Sequence, residues 1–360
     1  MKNIKETQQK QTNMQTRNLQ LKRALSAALF VLLLSVVGTK NALAQNQVAT
    51  LQHNDTITGV FYGQNAYSLA YDAAVDGDVI TLSSGTFNAV TIYKAITVRG
   101  AGCVLDTITN VLPTNIPGEF YIRHNNITFE GINFTGIVGR NWNEYSTGDF
   151  YSVSFIKCNI NRIISNNYYG YCFREFEFDN CIINDYESIN CYGTSIINSV
   201  VRFSAYYHAD IYNPTSIYNS VIIFDSTLII NNIVAYNSII ATASGHNVSN
   251  NTFFNCIGIK TGETSLFEGQ VNTTNMVVNN YSEVFETFDG TISYNNIYQL
   301  KSDIATSFLG HDGTEVGIYG GIMPYKTRPP YMILKNCNVA GQTDENKKLN
   351  VEMELIGPED

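Results

Sequence analysis

Tyrosines are the residues of this chain best suited to chemistry with a sugar. Tyr168, Tyr169, Tyr171, Tyr192, Tyr206, Tyr207 and Tyr212 recur through its middle. An exposed tyrosine offers a flat apolar ring with a hydroxyl at its edge, which suits stacking on a pyranose and hydrogen bonding at its rim. Tyr192, Tyr206, Tyr207 and Tyr212, with the amide of Asn190, form the expected substrate-binding set. The plainer reading is that tyrosine is a good strand residue and fills loops over a β surface. Arg174, His208 and Asp210 lie among them and are the candidate catalytic groups, although an arginine and an aspartate on a polar surface ordinarily stay solvated. A carboxylate pair for glycoside hydrolysis would have to be assembled from separated residues such as Asp179, Asp185, Glu187 and Asp210, because no Asp-Asp dipeptide occurs.

Other ionisable residues form no pattern of a known chemistry. His53, His124, His208, His246 and His311 show neither H-x-H nor H-E-x-x-H spacing, so no metal site is expected. Seven cysteines include no C-x-x-C pair, so neither a redox pair nor a zinc knuckle is expected. Gly317 to Gly321 reads as a tight terminal turn, since no helix signal and no Lys-Ser/Thr follows it as in a phosphate loop. Asp76-Gly77-Asp78 lacks the further oxygen ligands of a calcium loop and is explained by a turn.

The elements that must position these residues announce themselves by repetition. Asn180-Cys181-Ile182-Ile183, Asn198-Ser199-Val200-Val201, Asn219-Ser220-Val221-Ile222, Asn237-Ser238-Ile239-Ile240 and Asn255-Cys256-Ile257-Gly258 place their asparagines 18, 21, 18 and 18 residues apart. Asparagine tolerates the left-handed backbone of a tight corner, a small Ser or Cys fits the crowded slot after it, and an aliphatic pair opens a strand. Such a unit cannot bury its apolar face alone, so the copies stack with strands about 4.8 Å apart. One coil divides as strand 200–203, turn 204–208, strand 209–212, turn 213–215 and strand 216–218, a triangular cross-section. Cys158, Cys181 and Cys256 share the slot of Ser199, Ser220 and Ser238, which makes them small fillers, with one bridge between Cys158 and Cys181 conceivable.

Met1 to Ala44 reads as a cleaved signal: Lys2, Lys5, Lys10, Arg17, Lys22 and Arg23 precede the apolar run 24–37 and the A-x-A site Ala42-Leu43-Ala44. The run is shorter than the roughly 20 residues that span a bilayer, so no integral membrane segment is expected after cleavage. The signal implies an exported protein, secreted, periplasmic or at the cell surface, and a net charge of -9 disfavours nucleic acid. The organisation expected is signal 1–44, lead segment 45–64, stacked coils 65–321 and a tail 322–360 with strand-like runs 331–334 and 349–355. Within 65–75, Leu69, Ala70, Ala73 and Ala74 have helical spacing, and this short helix caps the first coil, whose edge and apolar interior would otherwise be open.

The opening Asp76-Gly77-Asp78-Val79-Ile80-Thr81-Leu82, then Ser84-Gly85-Thr86-Phe87 and Ile96-Thr97-Val98-Arg99-Gly100-Ala101-Gly102, resembles right-handed parallel β-helix proteins of the pectin-lyase-like superfamily. The asparagine corners resemble the asparagine ladder of that fold. Asp312-Gly313-Thr314-Glu315-Val316-Gly317-Ile318-Tyr319-Gly320-Gly321 is similar to the end of the helix in secreted β-helix proteins of Gram-negative bacteria, many of unknown function. The resemblance covers residues 65 to 321 and implies an all-β, right-handed parallel β-helix. For a lyase it would imply clustered Asp around Ca²⁺ and an Arg or Lys as base, and Arg174 with Asp210, about 10 Å apart along the stack, falls short of that. The function expected is therefore glycan binding at or outside the cell envelope, with no cofactor. Polysaccharide lyase or glycoside hydrolase is the enzymatic alternative, with Ca²⁺ only for the lyase, and a structural or adhesive protein with a protein partner is the third.

Overall fold

The computed structural model describes residues 47–107, 110–139, 150–164, 173–187, 193–204, 210–211, 215–225, 229–242, 247–249, 251–260, 274–293, 296–326, 333–343 and 349–356. The signal segment expected at 1–44 lies outside them. The chain forms the parallel β-helix that the repeats imply. Its first sheet stacks Val79–Leu82, Thr97–Arg99, Ile127–Glu130, Phe150–Ile156, Phe173–Asp179, Ser195–Ile197, Thr215–Tyr218, Ile233–Tyr236 and Thr252–Phe254, each parallel to the next. A second sheet runs from Gly85–Thr86 to Met276–Val278. The third is a short sheet of Asp210–Ile211, Ile229–Asn231 and Asn247–Ser249, the middle strand of the expected triangle.

The five asparagine corners take the left-handed conformation expected of them, with φ of 54° at Asn180, 45° at Asn198 and Asn219, and 50° at Asn237 and Asn255. Asparagine bears this conformation at less cost than other side chains. A second left-handed column, Asn126, Ser152, Glu175, Gly193 and Asn232, turns the chain into the first sheet. The sequence hides it, because Ser and Glu are not typical corner residues.

The slot after each asparagine is a hydrogen-bond ladder. Ser199 Oγ accepts from the Cys181 amide at 2.9 Å, Ser220 Oγ from the Ser199 amide at 3.2 Å and Ser238 Oγ from the Ser220 amide at 3.1 Å. Each hydroxyl donates to the carbonyl two residues before it, at 2.7 Å. Cysteine keeps that donor geometry: Cys181 Sγ donates to the carbonyls of Phe155 and Asp179. Cys158 and Cys181 are free buried thiols, so the conceivable bridge does not form. Burial pushes the Cys181 thiol well above its usual pKa, with Cys158 adding to the effect, as expected of an inert filler.

Phenylalanines fill the interior in rows. Phe129 stacks on Phe155 at 5.2 Å and Phe155 on Phe178 at 5.6 Å, each such pair adding about 0.5–1.5 kcal/mol beyond area burial. At the front, the helix Ala66–Ala73 buries Ala66, Tyr67, Ala70 and Tyr71 against this core. A hairpin of Val48–His53 and Thr56–Tyr62 pairs antiparallel with Val79–Leu82 and covers the first edge of the sheet. Helix and hairpin together are the cap that an open solenoid end requires.

At the other end the parallel coils finish at Val278, and the chain then folds back along the outside of the second sheet. Val284, Phe285, Phe288, Tyr298, Leu300, Val316 and Ile318 pack on Ile182, Val200, Val221, Ile239 and Ile257. The glycine-rich sequence is therefore not a terminal turn. It is a strap laid back along the corners. Asn255 donates to the Leu309 carbonyl, Asn237 accepts from the His311 amide, Asn198 donates to the carbonyls of Ile318 and Gly320, and Asn180 accepts from the Lys326 amide. Gly321 (φ +81°) lies so close to Asn219 that an added Cβ would stand 2.1 Å from its Nδ2. Further on, Ile333–Thr343 and Leu349–Ile356 pair as an antiparallel hairpin.

Candidate functional site

The second sheet is overlaid from Ile182 onward, whereas the outer face of the first sheet runs along the described coils with its side chains other than Glu130 half-buried or exposed. Parallel register lines its side chains into rows about 4.8 Å apart. One row reads Thr97, Thr128, Ser154, Glu177, Ser195, Ser216, Val234 and Thr252, hydroxyls interrupted by one carboxylate and one valine. Its neighbour reads Arg99, Glu130, Ile156, Asp179, Ile197, Tyr218, Tyr236 and Phe254. This second row thus changes character along the axis, from charged at the front to aromatic at the back.

The polar part is held together by paired contacts between coils. Ser154 Oγ donates to Glu177 at 3.1 Å, and Ser152 Oγ donates to Glu175 at 3.1 Å, this second pair joining two left-handed residues of the same corner. Non-glycine residues in that region carry roughly 1–2 kcal/mol of strain each. Arg99 Nε meets Glu130 at 3.1 Å. Asp179 lies between Ile156 and Ile197 in its row. Burial pushes its carboxyl above the ordinary range and Glu177 adds to this, while the Asn180 amide and Lys157 oppose. Lys157, half-buried at the corner, is lowered by burial against the pull of Asp179 and Glu130.

The aromatic part is a stack. Tyr218 and Tyr236 lie 5.2 Å apart with 3° between their planes, and Tyr236 and Phe254 lie 4.9 Å apart at 12°. Tyr218 is 40% exposed and the other two are half-buried. Each stands immediately before a corner asparagine, in Tyr218-Asn219-Ser220, Tyr236-Asn237-Ser238 and Phe254-Asn255-Cys256. The position before each asparagine is therefore the signal in the sequence for this ladder, a position that the loop tyrosines of the sequence reading do not share.

The carboxylates singled out in the sequence are distributed over three sheets. Asp185 and Glu187, on Ile182–Glu187 of the second sheet, both meet the guanidinium of Arg162, and Ser204 donates to Asp185. Asp179 belongs to the other sheet and hydrogen-bonds Asn180. Asp210 begins a strand of the third sheet. Arg174 is half-buried at the edge of the first sheet, opposite Tyr151 and one residue before the left-handed Glu175, so it shares no row with Asp210. Asn190, Tyr192, Tyr206, Tyr207, His208 and Tyr212 lie outside the described residues, as do Tyr168, Tyr169 and Tyr171. Among the described residues, no three His, Cys, Asp or Glu side chains gather as a metal site, and no helix is long and apolar enough to cross a membrane.

No protein-family model, curated protein or solved structure matches this chain.

Proposed function

We propose that this is an exported protein that binds an extended glycan along the outer face of the first sheet, at or outside the cell envelope, and releases it unaltered. The observation that carries the reading is the aromatic ladder Tyr218–Tyr236–Phe254 set beside the hydroxyls of Ser195 and Ser216 on an open sheet face. Parallel strands repeat an aromatic ring from Tyr218 to Phe254 about every 4.8 Å, so a linear polymer lying along the axis there meets a ring at each of three coils. Because the rings cover one another's faces, it is their edges that exclude water beside the sugar, while serine and tyrosine hydroxyls serve its hydroxyls as donors and acceptors. The engagement of Asp185 and Glu187 by Arg162 favours binding over hydrolysis, because a salt-bridged carboxylate is a poor general acid.

Size-exclusion chromatography and calorimetry of the chain from Gln45 with plant, host and bacterial polysaccharides test the proposal. Co-elution without shortening of the glycan is expected, with affinity about tenfold weaker in Tyr218→Ala/Tyr236→Ala. Asn133→Ala, on the opposite sheet, is expected to bind as the parent does. Shortened glycan, or a double variant that binds like the parent, would overturn the reading.

A further inference from the structure

The outer face of the first sheet carries its charges at one end. Its rear strands Ser195–Ile197, Thr215–Tyr218, Ile233–Tyr236 and Thr252–Phe254 contain no charged residue, so the aromatic ladder and the serines beside it are set in a neutral surface. The first charges met on moving forward from the ladder are carboxylates. Glu177 adjoins Ser195 in its row, and Glu175 lies on the same strand at a left-handed corner. Both are exposed. Ser154 donates to Glu177 and Ser152 to Glu175, neutral donors that leave each negative charge in place. Asp179 continues the strand, and its carboxyl is raised by burial with Glu177 adding.

The cations of this region stand away from the ladder. Arg99 meets Glu130 at 3.1 Å. Lys157 sits at the corner, where Asp179 and Glu130 attract it and Lys326 repels it. Arg174 is half-buried at the edge of the sheet, opposite Tyr151. A polymer with a carboxylate on each sugar therefore gains no charge pairing along the rear strands. It also meets Glu177 two coils ahead of the Tyr218 strand, about 10 Å along the axis. That distance is one screening length at 0.1 M salt, and any sugar reaching past Ser195 comes closer still, so like charges repel there. A polymer bearing only hydroxyls meets no such penalty and finds partners in Ser195, Ser216 and the tyrosine hydroxyls.

We infer that this face selects an uncharged glycan, and that Glu177 together with Glu175 sets the specificity by turning away uronate polymers. The inference rests on the glycan-binding reading above and names the substrate class of that site. The test is calorimetry of the full chain with xyloglucan, galactan and galactomannan, each beside its C6-oxidised form, in which primary hydroxyls have become carboxylates. At least one neutral polymer is expected to bind, with its oxidised form about tenfold weaker at low salt and the gap narrowing as salt is raised. Glu175→Gln/Glu177→Gln, at exposed positions, should bring the two forms to within about threefold of each other. An oxidised form bound as tightly as its neutral parent, or a gap that the double variant leaves unchanged, would overturn this inference alone. The aromatic reading is tested separately by Tyr218→Ala/Tyr236→Ala, which should weaken both forms alike. Absence of binding to every polymer would overturn both.

Discussion

The second sheet is one continuous stack with two outer faces. In its front coils the outward column is Asn115, Asn133 and Asn159, half-buried, each amide donating to the one before it at 2.7 Å. One coil later the same column becomes Ile182, Val200, Val221, Ile239 and Ile257, all buried. The backbone ladder is unchanged across that boundary. A side-chain amide ladder satisfies itself in water, whereas an aliphatic column must be covered, and the returning segment covers it. The column at the rear is thus written for two cores at once, which is why Val221–Phe224 and Ile239–Thr242 are buried at every position instead of alternating.

The largest test of this contrast is to place the same charge on both sides of the boundary. Val221→Asp would set a carboxylate between the sheet and the returning segment and should cost about 4 kcal/mol or more in denaturant unfolding. Asn133→Asp, in the same column at the front, keeps an acceptor for Asn159 and should cost about 1 kcal/mol or less. Equal losses would mean that the returning segment does not cover the rear face.

The corners divide in the same way. Asn198 is left-handed and also donates to the carbonyls of Ile318 and Gly320. Asn198→Ala should therefore lose about 3 kcal/mol, and Asn198→Gly only part of that, since glycine restores the backbone but not the amide. At the front, Lys157 holds the equivalent corner at φ 50° without the tolerance of asparagine. Lys157→Gly should raise stability by roughly 0.5–1 kcal/mol. Were Lys157→Gly to destabilise as much as Asn198→Ala, the corner conformation would not be what separates them.

How much of this was legible follows from where each signal resides. The asparagine corners, the three-strand coil and the capping helix rest on local preferences, and the observed Val200–Ser204, Asp210–Ile211 and Thr215–Tyr218 fall within two residues of the expected division. The strap is not legible locally, because Gly317 to Gly321 turns in the same way whether it ends a solenoid or lies on one; only Asn198, Asn219 and Asn237, some eighty to one hundred and twenty residues earlier, decide. The rear face was readable in principle from Val221-Ile222-Ile223-Phe224, a run apolar on both sides of a strand. For the site, residue type pointed at tyrosines in the turns, whereas the described aromatic ladder comes from register, a property of neighbouring coils rather than of any one segment.

The slot after each corner gives a smaller test that crosses the boundary. Ser220→Ala removes the acceptor of the Ser199 amide and leaves that buried N–H unpaired, at a cost of about 1–3 kcal/mol. Cys181→Ser keeps a small donor directed at the same carbonyls and should change stability by less than about 1 kcal/mol. A large loss from Cys181→Ser would mean that sulfur volume, rather than hydrogen bonding, sets the slot.

The smallest effect belongs to Asp179, at the coil where the outer column of the second sheet turns from amide to aliphatic. Its folded pKa is raised, chiefly by burial. Below the ordinary carboxylate value both folded and unfolded chains hold the proton, so Asp179 is then neutral to stability. As pH rises through the window between the ordinary and the raised value, the unfolded chain releases its proton first, and folding is disfavoured from there upward. Asp179→Asn still accepts from Asn180 and carries no charge to bury, so it should exceed the parent by a few tenths of a kcal/mol at pH 7 after solvent screening, with the difference vanishing near pH 3. Urea unfolding at the two pH values measures it. A variant less stable than the parent at pH 7 would mean that attraction to Lys157 outweighs burial, and that the front of the first sheet is held by its charges as the rear of the second is held by its covered aliphatic column.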